Sequence, residues 1–162
     1  DIDLPDGNGI GLGVSLRRDH PDLGIVLLSA GDMLDLMNSI PSDVRRGWSY
    51  LSKSSTTDFD ILTSTISSTS KGMTIIDPYL VDRSVAKPDT SLARLTKRQY
   101  QVLRAVARGA SNQGIADELN LSVNSVVNHL TAIYAALGIP DGTNARVMAV
   151  LRFLDESART TA

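Results

Sequence analysis

The chain has 162 residues, 42% hydrophobic and 21% charged, with a formal net charge of -2 at pH 7 and no cysteine. This length suits one domain or two small ones, the lack of thiols excludes a disulfide framework and thiolate metal sites, and mean hydropathy is near zero. No run approaches the roughly 18 apolar residues of a membrane span and no signal peptide is expected, so a cytoplasmic location is anticipated. The small net charge conceals an asymmetry. Residues 1–91 carry 8 Lys+Arg against 13 Asp+Glu, a net of -5, whereas residues 92–162 carry 8 against 5, a net of +3. A modest positive balance favours a polyanionic partner, although by itself it reads as a solvated surface.

The opening DIDLPDGNG is turn-rich. Its glycines at 7, 9, 11 and 13 do not form a phosphate-binding fingerprint, because Leu12 and Val14 stand where Gly-x-Gly-x-x-Gly requires glycine. Ile10 to Arg18 is expected to be a helix, stopped by His20-Pro21-Asp22. Gly24 to Ser29 is a continuous apolar run, which predicts a buried parallel strand. A short helix is expected over Asp32 to Asn38, and a second strand over Trp48 to Leu51, followed by Lys53. Thr57 is placed to cap a helix from Asp58 to about Ser70, with Phe59, Leu62 and Ile66 on one face. Helix and buried strand in alternation predict an α/β layer. Two strands are too few for a stable sheet, so this half reads as an incomplete doubly wound domain, residues 1–71.

Residues 72–93 contain Asp77-Pro78 and Lys87-Pro88-Asp89 and read as an interdomain linker, with Pro78 allowing a short helix through Val81. From residue 94 to 162 the signals are helical. Thr96 with Gln99 predicts a capping box, Gly109 closes that helix, Ser111 and Ser122 open the next two, and Gly138 ends the third. The short join around Asn120 has helix-turn-helix spacing. Thr143 to Leu154 forms a fourth helix with Val147, Val150, Leu151 and Leu154 on one face, which either closes the core or contacts a second copy.

This second half resembles the DNA-binding domain of the LuxR/NarL class of bacterial regulators. The resemblance rests on Leu95, Thr96, Arg98, Val102, Leu103, Gly109, Ser111, Ile115, Ala116, Leu119, Ser122, Val126, His129, Leu137 and Gly138. It implies an all-α four-helix unit that binds double-stranded DNA as a homodimer through Val147, Val150, Leu151 and Leu154. The helix after Ser122 would bury Val126, Leu130, Ile133 and Leu137 and lay its opposite face in the major groove. Val127, Asn128 and Thr131 are then the expected base contacts, with Asn128 suited to adenine N6 and N7 and Val127 to a thymine methyl. Backbone contacts are expected from Lys97, Arg98, Arg104, Arg108, Ser111, Ser122, His129 and Arg146. Between Asn120 and Leu137 there is no Lys or Arg, a departure from the family.

The first half resembles the C-terminal part of a response-regulator receiver domain. Asp1-Ile2-Asp3-Leu4-Pro5-Asp6-Gly7-Asn8-Gly9 fits the pattern around the phosphoacceptor, which makes Asp1 the candidate acceptor. Ser29, Tyr50 and Lys53 match the remaining members of the phosphorylation switch. The resemblance implies attack of the Asp1 carboxylate on a phosphohistidine of a cognate histidine kinase, with Lys53 on the phosphoryl group. It also implies Mg2+ held in part by Asp1 and the Asp3 carbonyl, provided that further acidic residues precede Asp1. The expected function is a DNA-binding transcriptional regulator of two-component type rather than an enzyme. The rival reading is a helix-turn-helix interaction module with a degenerate receiver and weak or no DNA binding.

Overall fold

The structure, a computed structural model, describes residues 1–5, 7–30 and 39–159. The helix expected over Asp32 to Asn38 lies outside the described residues. Two compact units, Asp1–Leu80 and Val81–Ala162, divide the chain.

The first unit is a mixed α/β layer. β1 (Asp3–Leu4) and β2 (Gly7–Asn8) form a tight antiparallel turn that feeds α1 (Gly9–Asp19). The Asn8 side chain caps α1 by accepting from the amides of Ile10 and Gly11. β3 (Ile25–Ser29) runs parallel to β4 (Trp48–Ser52), with Ile25 opposite Trp48 and Ser29 opposite Ser52. Chain segments on both sides extend this pair. The buried Ile2 donates its amide to Leu28 O at 3.2 Å, and Ile76 bridges Tyr50 in parallel, with Tyr50 N donating to Ile75 O at 2.9 Å. The core holds Ile2, Leu27, Trp48, Tyr50, Leu51, Ile75 and Ile76.

A short 3-10 turn (Ser55–Thr57) leads into α2 (Phe59–Thr69). Its cap is Asp58, one residue beyond the expected Thr57, and the Asp58 carboxylate accepts from the amides of Asp60 and Ile61. The face expected to be apolar and covered is turned outward. Phe59 is 73% and Ile66 50% exposed, while Thr65 and Thr69 are buried. The inward face is narrow, because Gly24 passes so close that a Cβ there would sit 2.6 Å from Thr69 O. Small side chains that satisfy themselves fit there. Thr69 donates to Thr65 O and pairs with the Ser49 hydroxyl at 2.6 Å.

Thr74 to Asp77 is buried in the first unit, and α3 (Pro78–Asp82) follows. The Asp77 side chain accepts from the amides of Ser52 and Tyr79, which ties the end of β4 to the start of α3.

In the second unit, β5 (Ser84–Ala86) pairs antiparallel with β6 (Ser157–Arg159), at the end of the last helix. A 3-10 turn at Leu92–Arg94 precedes α4 (Lys97–Ala107), α5 (Asn112–Leu119), α6 (Val123–Ala136) and α7 (Ala145–Glu156). The boundaries follow the local chemistry. Thr96 and Gln99 form the reciprocal capping box, Ser111 and Ser122 cap α5 and α6, and Asn144 caps α7. Asn120 turns the chain between α5 and α6 in the left-handed region at φ 52°, which Asn tolerates better than most residues. Val102, Leu103, Val106, Ile115, Val126, Leu130, Ile133 and Leu137 meet in the core.

Candidate functional site

The α5–α6 pair presents one face of α6 to solvent. Burial of Val126, Leu130 and Ile133 fixes the helix rotation, and Asn124, Val127, Asn128 and Thr131 are exposed on the other side. Thr131 bonds back to Val127 O at 3.1 Å, so its hydroxyl already has one partner along the helix. His129 is half-buried on the flank. The Ser122 and Ser125 hydroxyls are 2.8 Å apart at the exposed N-terminus of α6, and Ser111 accepts from Gly114 N at 3.0 Å at that of α5. All three expected base contacts therefore share one exposed face, close to a helix N-terminus suited to a phosphate.

Four of the five cations expected at the DNA backbone are bound within the protein itself. Arg98 donates to Leu119 O at 3.2 Å and to Gln101 at 3.3 Å. Arg104 donates to Val81 O and to Asp82 Oδ1, both at 3.2 Å. Arg108 bridges Asp82 Oδ1 at 2.8 Å and Glu118 Oε1 at 2.5 Å. Arg146 reaches Asn112 Oδ1 at 3.0 Å and the Ala110 carbonyl, and burial holds its pKa below the usual value against the opposing effect of Tyr134. These arginines brace the helices. Lys97 is exposed at the start of α4.

The stripe on α7 faces inward. Val147, Val150, Leu151 and Leu154 are 1%, 0%, 6% and 1% exposed within the single chain. They close the core of the second unit and offer no surface to a second copy. Sequence spacing located this stripe but did not show that α7 packs against α4, where Tyr100 of α4 and Phe153 of α7 bring their ring centroids to 6.1 Å.

In the first unit three of the four expected switch residues, Asp1, Ser29 and Lys53, gather at the C-terminal ends of β3 and β4, while Tyr50 stands in the middle of β4 opposite Leu27. Lys53 Nζ lies 2.6 Å from Asp1 Oδ2, and the Lys53 amide donates to Ser29 O at 2.7 Å. Ser29 and Tyr50 are buried, whereas Asp1 and Lys53 are exposed. Gly9 allows this arrangement: a Cβ there would stand 1.9 Å from the Asp1 carbonyl oxygen. Asp3 is exposed in β1. Among the described residues no three His, Cys, Asp or Glu side chains gather to hold a metal ion. Asp1 and Asp3 alone do not complete a Mg2+ site.

The second unit is thus a four-helix helix-turn-helix domain with one face of α6 exposed. Residues 93–149 match the family described as bacterial regulatory proteins, luxR family, and this unit is a LuxR-family helix-turn-helix domain. Over 153 residues the chain is 24% identical to response regulator protein VraR of Staphylococcus aureus, covering 92% of this chain and 71% of the relative. The same figures hold for VraR of Staphylococcus epidermidis. A solved chain of the RcsB response regulator of Salmonella typhimurium covers 96% of this chain and 73% of its own length, with 21% identity and a TM-score of 0.38. An α/β unit thus precedes the LuxR-family domain in the chain, and the relatives that match both are response regulators. Among the described residues no helix is long and apolar enough to cross a membrane.

Proposed function

We propose that this protein regulates transcription by laying α6 in the DNA major groove, with Val127, Asn128 and Thr131 at the base edges. The observation that carries this reading is the exposed, uncharged face on which these three stand, on a helix whose opposite face is locked into the core. Asn128 accepts and donates together, which matches the N7 and N6 edge of adenine, and Val127 offers a methyl surface to thymine. The bound sequence is therefore richer in A·T at the contacted pairs. Lys97, His129 and the N-termini of α5 and α6 at Ser111 and Ser122 supply the phosphate contacts, which set register without reading sequence.

The receiver-like unit controls this activity through Asp1, in the same proposal. The Lys53 ammonium beside the carboxylate neutralises charge on an incoming phosphoryl group. A histidine kinase is the donor and a homodimer the DNA-bound form. Mg2+ enters only with ligands beyond Asp1 and Asp3, and no step here depends on it. Selection of bound sequences from a random duplex pool, for the wild type and Asn128→Ala, tests the readout. Loss of preference at one A·T pair supports it, whereas an equal loss on every sequence contradicts it.

A further inference from the structure

The segment that enters the second unit is fastened to that unit's far end. Three sets of contacts hold it. The Asp82 carboxylate takes both Arg104 and Arg108 on a single oxygen. β5 then pairs with β6, Ser84 opposite Arg159 and Ala86 opposite Ser157, and Tyr100 donates its hydroxyl to Ser84 O at 3.3 Å. Finally, one side chain closes the loop. Glu156 Oε2 accepts from the Ser91 hydroxyl at 2.7 Å and from the Leu92 amide at 2.8 Å, while its carbonyl accepts from the Lys87 amide at 2.7 Å. Lys87 returns the contact through its ammonium, 2.8 Å from Asp155 O.

We infer that residues 82–91 are a releasable strap on the helix-turn-helix unit, pinned by Glu156 and anchored beside the buried Leu92, rather than a linker or a part of its core. The matched family region begins at residue 93, after the strap. Between its ends the strap lies at the surface: Asp82 is 58% exposed on its side chain and Val85 between the ladder pairs is 43% exposed, whereas Ser84 and the adjoining Leu92 are buried and Glu156 is 15% exposed on its side chain. Asp89 turns it through the left-handed region at φ 61°. Few apolar contacts and many surface hydrogen bonds mark a segment that opens with a lower free energy than the domain around it. The packed helices, with Val102, Leu103, Ile115 and Ile133 fully buried, open only with the domain. Releasing the strap frees the chain from Arg83 to Ser91 while leaving Leu92 and α4 to α6 packed.

Hydrogen exchange on the whole chain, wild type and Glu156→Ala, tests this by amide. In the wild type, the Lys87 and Leu92 amides exchange at least tenfold more slowly than in an unfolded peptide and faster than those of α4. In Glu156→Ala, residues 84–92 exchange at least tenfold faster and α4–α6 are unchanged. Exchange of the wild-type strap at the unfolded rate shows a free linker and overturns the inference. So does acceleration of α4–α6 together with the strap, which shows a segment inseparable from the core, and so does a strap unaffected by the substitution.

Discussion

The Arg146 guanidinium reaches from α7 to Asn112 Oδ1 at 3.0 Å and to the Ala110 carbonyl, joining the last helix to the N-terminal end of α5. It is a brace that sets the angle of the helix-turn-helix. Removing it leaves a part-buried carbonyl unpaired, and hydrogen bonds to charged groups contribute about 1.5–3 kcal/mol. Arg146→Ala is therefore expected to lower unfolding free energy by about 2 kcal/mol in urea titration. Lysine restores only part of this, because an ammonium cannot present the planar fork. Unchanged stability with reduced DNA affinity would return Arg146 to the role of a phosphate contact.

Lys53 and Asp1 make a different kind of pair. Their side chains are 50% and 37% exposed, and exposed ion pairs contribute about 0–1 kcal/mol. Lys53→Ala is expected to leave stability within about 1 kcal/mol of the wild type. The same variant is expected to lose most phosphoryl uptake from a small phosphodonor, followed by intact mass, and Asp1→Asn all of it. Uptake that persists in Asp1→Asn places the acceptor elsewhere.

Gly9 and Gly13 are packing residues. A Cβ on Gly13 would stand 2.5 Å from Trp48 Cη2, and one on Gly9 would overlap the Asp1 carbonyl. Overpacking of this kind costs about 1–3 kcal/mol. Gly9→Ala is expected to fall at the upper end, since its obstacle is backbone, and also to disturb the Asp1–Lys53 distance. Thermal melts of both variants check the order; equal stability of Gly9→Ala and wild type would show that Asp1 is not held against α1.

Alkaline pH is expected to destabilise the second unit. Burial raises the pKa of Tyr100 above 10.0, outweighing Arg104, and likewise that of Tyr134, outweighing Arg146. The folded state therefore keeps phenolic protons that the unfolded chain gives up. Stability is fully present below the ordinary tyrosine pKa and is lost as pH rises through the higher folded values. Tyr100→Phe removes one of these groups and flattens the decline. Ultraviolet titration that finds all tyrosines ionising together at their ordinary pKa would contradict this.

What the sequence revealed and what it concealed divide along distance in the chain. Thr96 with Gln99, Ser111, Ser122 and Asn120 act on neighbours within four residues, so the helix boundaries of the second unit were legible from local chemistry. The arginines were not, because charge is visible in a sequence but its partner is not. Arg104 meets Asp82 22 residues away, Arg108 the same carboxylate 26 away, and Arg146 the Ala110 carbonyl 36 away. On α2, periodicity found Phe59, Leu62 and Ile66 on one face but could not say which face the sheet would cover. The strap was hidden for the same reason: Ser84 to Ala86 pair with residues at the opposite end of the domain.

Whether a helix without a basic residue on its exposed face binds DNA is measured most directly by salt titration of binding to random duplexes. Each neutralised phosphate contributes about -0.9 to the slope of log K against log salt. With Arg98, Arg104, Arg108 and Arg146 engaged inside the protein, measurable binding at low salt with a shallow slope of about -1 to -2 per protomer is expected. No binding at the lowest salt would contradict DNA recognition by α6 and leave a helix-turn-helix interaction module in its place.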